Sequence, residues 1–526
     1  MTFYLPSDRV SVGRSSKPPN SDKTKQAGIE TPQAGQQAHI LILRLDLTSP
    51  LGKDILSSRR NVQQGLKRLC GLFEQLDKGN KKIDKFGNDR KIIRIPLKEF
   101  NFSATVGFGI GFFDKLHIPN TRRPKRIKPM PDHTALGDVA RYSLSQTDLI
   151  VQLASTSDFV NRWVFENDYL LHADYTKNQN KHIRQKEDAQ DVVTATSEWA
   201  IVTDMHVGFQ RMDGRNLMGF NDGISNPRPG SGEKFNSAVW TTEDDEGPIF
   251  KDGTYMVFQK IIHDLDQWKS LSVEEQQQWV GRNKITGLLL GTPENDDAKF
   301  IEALKNDDPR AKDRLRKLLD EQADPDKPFY DKDIFKRYVP AWSHVRKANP
   351  RQERLPNGKR IESRTIFRRG YLFLETGLNN RTISGILFIC FQRDIENAFE
   401  HIKKNWLNDK RFPTPSFRPF SILETKKRHS QGRFSAIEIE QVARFDISKK
   451  HLLGLDDYGV LRDKLNETSD PDTQTTGREG LAGPSELGVT PTGDFLAVTP
   501  FGGGYYFVPP VPNGNISEIG QQFFDF

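Results

Sequence analysis

The stretch ISGILFICFQRDIENAFEHIKKNWLN, residues 383–408, changes character in its middle. Up to Gln392 it is β-branched and aromatic, and by the two-residue period of a strand Ile386 and Phe388 share one face while Leu387 and Ile389 share the other. From Asp394 to Asn408 the pattern becomes helical. Working outward, TIFRRGYLFL (365–374) reads as the strand before it, VEEQQQWVGRN (273–283) as a helix, and GTYMVFQKII (253–262) as a further strand. The apolar run DFLAVTPFGGGYYFVPP (494–510) is strand-like and packs back on the body.

The first half of the chain carries the same succession. HILILRLDL (39–47) is a strand, residues 51–78 a helix, 90–113 further strand, 148–155 a strand, 158–167 a helix, and 198–210 the closing strand. Strand-helix-strand twice over is the split βαβ arrangement, so an α+β protein of two ferredoxin-like halves with antiparallel sheets and peripheral helices is expected. The divisions are a flexible arm over 1–37, rich in Ser, Pro, Gly, Gln and Lys, one half over 38–215, and another over 216–526 with insertions and an extended tail. Polar insertions at 176–191 and 295–333 read as surface loops or peripheral helices. The terminal EIGQQFFDF (518–526) reads as the end of the last packed segment, with a docking peptide as the alternative.

Composition removes several classes of function. The 526 residues include 35% hydrophobic and 28% charged residues, enough apolar material for a sizeable core. The net charge of +7 comes from interspersed charges without an aromatic-basic platform, so no nucleic-acid partner is expected. Cys70 and Cys390 alone cannot build a disulfide framework or a cysteine metal cluster. No apolar run nears the roughly 20 residues that cross a bilayer, and the first residues lack a signal peptide's apolar stretch, so neither membrane insertion nor export is expected and the cytoplasm is the default.

Three segments hold candidate chemistry. MGFNDGISNP (218–227) is a turn presenting one carboxylate, Asp222, although Asp-Gly is also an ordinary turn signal. WSHVRKANPR (342–351) places His344 after the apolar YVPAW and before Arg346, Lys347 and Arg351, a setting suited to an imidazole ligand beside cations, while a lone His is commonly structural. In TIFRRGYLF, Arg368 and Arg369 must face opposite ways, and the inward one needs an anionic partner or a charged interior site.

Joined together, these segments resemble the dye-decolourising peroxidase family, its longer branch in particular. Gly219, Asp222 and Gly223 match the family's GxxDG turn, SHVRKANPR its proximal-histidine segment, FRRG its distal-arginine segment, and residues 384–406 the strand and helix that follow. The likeness in organisation spans about 38–412 and is specific from about 209 to 406.

The resemblance implies haem b (iron protoporphyrin IX) in the C-terminal half, with His344 as the iron ligand and Arg346 as partner of a propionate. It also implies Ile386 and Phe388 on the haem side, and Asp394 or Glu396 as the carboxylate that makes the ligand imidazole more basic. Asp222 would move a proton between the oxygens of hydrogen peroxide, and Arg368 would stabilise the charge that develops as they part. A free aspartate titrates near 3.9, so activity at acid pH, lost as Asp222 protonates, is the corollary.

The expected partners are hydrogen peroxide and organic reductants, with oligomeric state open. Bulky reductants would pass electrons inward through aromatic residues; Tyr371 and Trp406 lie near the implied site in sequence, though packing explains each as well. Two rival readings remain, a haem-binding or haem-handling protein with little peroxidase turnover and a basic two-domain interaction protein.

Overall fold

The structure is a computed structural model that describes residues 23–33, 35–48, 54–77, 82–86, 92–138, 142–167, 199–323, 338–340, 343–350, 364–376, 382–409 and 498–526. The insertion at 176–191 and residues 1–22 lie outside these.

The N-terminal half is built from β1 (His39–Leu47), α1 (Ile55–Asp77), β2 (Ser103–Phe108), β3 (Leu149–Ser155), α2 (Asp158–Asn167) and β4 (Ala200–Phe209). Its sheet runs β2-β3-β1-β4. In the C-terminal half β5 (Thr254–His263), β6 (Tyr371–Thr376), β7 (Thr382–Gln392) and β8 (Val498–Val508) run β6-β7-β5-β8. Both sheets therefore place their strands in the order second, third, first, fourth, and each is antiparallel throughout, which is the ferredoxin-like arrangement expected from sequence. The strand-like tail at 494–510 supplies β8, the fourth strand of the second half.

The two sheets join edge to edge. Phe209 pairs with Leu372 at one seam and Phe507 with Phe108 at the other, so these eight strands close on themselves. Alternation then sorts side chains between the barrel interior and its two outer faces. Ile40 and Ile42 point inward with Met256, Phe258, Tyr371, Phe373, Leu387 and Ile389. Leu41, Leu43 and Leu45 point outward onto Val62, Leu66 and Leu69 of α1. In the C-terminal half the outer face, with Val257, Cys390 and Tyr505, packs on Phe399, Ile402 and Trp406 of α7 (Glu396–Leu407), a helix whose Glu400 N–H donates five residues back to Ile395.

Between β5 and β6 the chain forms α3 (Val273–Val280), α4 (Ala298–Lys305), α5 (Pro309–Ala323) and the short α6 (His344–Ala348). Gly281, in the left-handed region at φ 89°, ends α3 earlier than the 273–283 expected from sequence. The C-terminal EIGQQFFDF packs rather than projecting: Phe523 is fully buried with its ring 4.9 Å from Phe108 and 5.0 Å from Phe113. Among the described residues no helix is long and apolar enough to cross a membrane.

Residues 23–37, part of the arm expected to be flexible, are packed where described. Gln26 spans one seam of the barrel: its amide group donates to Val106 O (3.2 Å) and Pro509 O (3.0 Å) and accepts from Val106 N (2.8 Å). Gln37 donates to Asn101 O (3.0 Å) and accepts from Arg369 (3.0 Å). Strand 365–374 is also not continuous. Phe367–Arg368 pairs with Phe391 and Cys390, Arg369 N donates to Ile389 O (2.7 Å), and pairing resumes at Tyr371. Arg369 is the buried arginine of the pair, donating to Ile29 O (3.0 Å), Thr31 O and Gln37 Oε1.

Two expectations about stability follow. Arg369→Ala strips donors from buried acceptors on the 23–37 segment and costs about 3 kcal/mol or more, whereas Arg368→Ala leaves stability within about 1 kcal/mol of wild type; urea unfolding of the two variants checks this, and equal losses would refute it. The second concerns pH. Burial pushes His263 down to about 4, and burial together with Lys260 and Arg44 holds His206 well below the usual range. The unfolded chain protonates both as pH falls through about 6.5 while the fold does not, so stability is full above that pH and is lost as pH drops towards 4. The urea midpoint is expected to fall between pH 7.5 and pH 5, with a shallower fall in His263→Leu; pH-independent midpoints would contradict it.

Candidate active site

The Asp222 turn is held by its backbone. Gly219 and Gly223 adopt φ values of 90° and 78°, and a Cβ at Gly219 would come within 2.6 Å of the Lys284 side chain, so this turn needs glycine at its first position. Arg215 donates to Gly219 O (2.8 Å) and to the carbonyls of Lys284 (2.5 Å) and Ile285 (2.8 Å). The Asp222 carboxylate is exposed and accepts from Gly223 N (2.7 Å), its only hydrogen bond among the described residues.

Four residues on, Asn226 clamps the turn to the broken strand. Its side-chain amide donates to Arg368 O (2.8 Å) and accepts from Arg368 N (2.8 Å), a reciprocal pair that fixes the arginine backbone against the loop. The Arg368 guanidinium is half-buried and makes no hydrogen bond or ion pair with any described residue. The two arginines thus divide as alternation requires, Arg369 into the protein and Arg368 to the opposite side with Asp222's loop.

His344 opens α6, whose preceding Ser343 is buried. The ring is half-buried, and its Nδ1 has no hydrogen-bond partner among the described residues. Burial first, then the positive charges of Arg368, Arg282 and Lys403, push its pKa down to about 3. The imidazole is therefore neutral at physiological pH with its lone pair available for a metal. Arg368 is the link between the segments, bonded to the Asp222 loop by its backbone and close enough to His344 to disfavour a proton there.

On β7, Ile386 and Phe388 are half-buried while Leu387 and Ile389 are fully buried in the barrel, so the two faces divide as expected from sequence. Gly370 lies against Ile386, where a Cβ would meet Ile386 Cδ1 at 2.7 Å. Phe388 in turn lies against Phe399 of α7, their ring centroids 6.1 Å apart.

Other sequence-based candidates fall elsewhere. Asp394 does not meet His344: its Oδ1 accepts from Asn397 N (3.0 Å), and its Oδ2 pairs with Arg126 of the N-terminal half (3.2 Å). Glu396 pairs with Lys128 (2.7 Å). Both carboxylates are drawn away by cations on a loop that sequence proximity did not reveal. Arg346 is buried and donates to Val339 O (2.6 Å), so it is not a cation on an exposed basic loop. Tyr371 is fully buried with its hydroxyl donating to Gln37 O (3.0 Å), and Trp406 lies in the core; both pack.

Sequence reasoning missed Asn226, Arg282 and Lys403. Asn226 lies in the 218–227 turn, where its residue type is an ordinary turn signal, and Arg282 and Lys403 lie in stretches of helical pattern that give them no separate signal. Among the described residues no group of three or more His, Cys, Asp or Glu side chains gathers for a bare metal ion. The His344 imidazole, its Nδ1 without a partner among the described residues, and the cations around it fit instead a metal carried in an anionic macrocycle, as haem is with its two propionates.

Comparison with known proteins agrees with this chemistry. The family models for the N-terminal and C-terminal parts of the Dyp-type peroxidases match residues 26–167 and 213–417. Deferrochelatases of Shigella flexneri serotype 5b (strain 8401) and Escherichia coli K12 are 25% and 24% identical over 398 and 397 residues, each alignment covering 72% of this chain and 77% of the relative. The fold is similar to that of DtpA from Streptomyces lividans, in its oxyferrous complex, at a TM-score of 0.50 and 22% identity over 73% of this chain and 86% of that one. A DyP-type peroxidase from Streptomyces coelicolor gives a TM-score of 0.50 and 22% identity over 75% and 89%. With both family models matched across more than half of its length, the chain belongs to the Dyp-type peroxidase family.

Proposed function

We propose that Asp222, Arg368 and His344 form the working site of a haem peroxidase that reduces hydrogen peroxide and oxidises bulky organic reductants, such as dyes or phenolics, by one-electron steps. The observation that carries this is the Arg368 guanidinium, half-buried and without a partner among the described residues, tied by its backbone to the Asp222 turn and acting on a neutral His344. Membership of the family brings haem b as the cofactor. When bound, haem supplies the redox centre that takes up the oxidising equivalents of peroxide.

His344 would hold the iron through an imidazole nitrogen, and its low proton affinity keeps that nitrogen unprotonated across the working range. Ile386 and Phe388 would wall the ring. The Asp222 carboxylate takes a proton from one oxygen of peroxide and delivers it to the other, which leaves as water. Arg368 faces that event with no carboxylate paired to it among the described residues, so its charge is available to the oxygen that becomes negative. Asn226 keeps base and guanidinium in register by binding the Arg368 backbone.

The relatives named deferrochelatase favour a second reading, a protein that handles haem with little peroxidase turnover. Visible spectra of haem-reconstituted wild type, His344→Ala and Asp222→Ala, before and after peroxide, separate the two. The expected outcome is a Soret band in wild type that changes on peroxide addition, an altered band in His344→Ala, and a peroxide reaction slowed by about 10²- to 10⁴-fold in Asp222→Ala. A haem spectrum indifferent to peroxide in all three proteins would select the haem-handling reading, and no haem binding would reject both.

A further inference from the structure

Between the Asp222 turn and the His344 helix lies a tight hairpin, residues 281–292. Arg282 and Leu289 form its bridge, Asn283 N donates to Leu288 O (2.8 Å), and Gly287 N donates to Asn283 O (2.9 Å). One side of the hairpin touches the Asp222 turn. A Cβ at Gly287 would stand 2.7 Å from the Asn221 side-chain amide and 3.2 Å from Ile224, and the carbonyls of Lys284 and Ile285 receive Arg215. The other side touches the approach to His344. A Cβ at Gly281 would lie 2.8 Å from Ser343 Oγ and 3.1 Å from Val339, and Leu289 packs with Val339, Leu290 and Val345.

Arg282 sits at the centre of this spacer and is 5% exposed. Its Nη1 donates to Gly287 O (2.8 Å) within the hairpin and to Gln322 Oε1 (3.5 Å) on α5, and its Nη2 donates to Ser225 Oγ (3.3 Å), three residues past Asp222. Gln322 is fully buried and locks the hairpin further, accepting from Leu289 N (2.8 Å) and donating to Thr292 Oγ1 (2.9 Å). The inserted helix is thus a brace: Leu315, Leu318 and Leu319 cover Ile224 and Leu288, and Asp320 pairs with Arg228 (2.5 Å) beyond the turn.

We propose that Arg282 is a positioning residue that fixes the separation between the Asp222 turn and His344, with Gln322 of the inserted helix holding its guanidinium in place. The inference rests on the reading of Asp222 and His344 as two sides of one haem site. A planar guanidinium satisfies acceptors in three directions at once, which a lysine ammonium on a flexible stem does not reproduce. Arg282→Lys therefore separates charge from geometry.

The test uses haem-reconstituted wild type, Arg282→Ala, Arg282→Lys, Gln322→Leu and His344→Ala, with circular dichroism to verify folding. Haem affinity is expected to fall by about ten- to hundredfold in Arg282→Ala and Gln322→Leu. Their ferric visible and electron-paramagnetic-resonance spectra should show a mixture of ligation states where wild type shows one, and Arg282→Lys should show the same mixture despite its retained charge. Gln322→Leu, which leaves Arg282 in place, carries the test if Arg282→Ala does not fold. Wild-type affinity and a single ferric species in Gln322→Leu and in folded Arg282→Ala, beside an altered spectrum in His344→Ala, would overturn this inference alone. A wild-type spectrum in His344→Ala would overturn the reading beneath it and this inference together.

Discussion

The burial of Arg369 is the constraint on which the joining of the two halves and the direction of Arg368 depend. A guanidinium in the interior is tolerated because the carbonyls of Ile29 and Thr31 and the amide oxygen of Gln37 meet it, and those acceptors belong to a segment that also spans the barrel seam through Gln26. With Arg369 satisfied there, its neighbour must leave on the opposite side of the strand. Gly370 then breaks the pairing, and its carbonyl receives Gln33 (2.9 Å) and Gln210. Barrel closure, the packed N-terminal segment and the direction of Arg368 are one linked arrangement.

The N-terminal half also shapes the charge around His344. Its loop carries Arg126 and Lys128, which take the carboxylates of Asp394, Glu396 and Glu400. The same loop contributes Asp138, which pairs at 2.6 Å with Lys403, both side chains almost wholly buried. Removing either member would leave an uncompensated charge in the core. The outcome is an asymmetric field in which the acids of α7 are engaged towards the N-terminal half, while Arg368, Arg282 and Lys403 press on His344.

How much of this was legible in sequence follows from which signals are periodic. The strands of both halves and the long helices came from alternation and helical period, and even the late strand at 498–508 was visible as an apolar run. The two-residue period required Arg368 and Arg369 to part, but gave no means of saying which went inward, because the deciding acceptors are backbone carbonyls of residues 29 and 31. Residues 23–37 hid for the same reason: they bind through glutamine amides and main chain, and a polar stretch held that way has the composition of a flexible one. Asp394 and Glu396 are near the candidate segments along the chain, but the cations that claim them, Arg126 and Lys128, lie more than 260 residues earlier. Arg282 gave no signal because its partners, Ser225 and Gln322, lie 57 and 40 residues away and meet it only in the tertiary structure.

Asp222 and Arg368 are not paired with each other, and this is chemically apt. A direct ion pair would hold each charge on the other and, under the proposed mechanism, would weaken the guanidinium's pull on an oxygen that becomes negative only during reaction. Separation has its own requirement, since two groups without a mutual bond must be positioned by something else. Here that work falls to the backbone: Asn226 grips Arg368 through its peptide, Arg215 and the hairpin grip the Asp222 turn, and among the described residues the carboxylate keeps only the N–H of Gly223. Main-chain geometry is fixed while the side-chain charges are not joined to each other, so in the proposed site order would reside in the peptide clamps and reactivity in the groups they leave free.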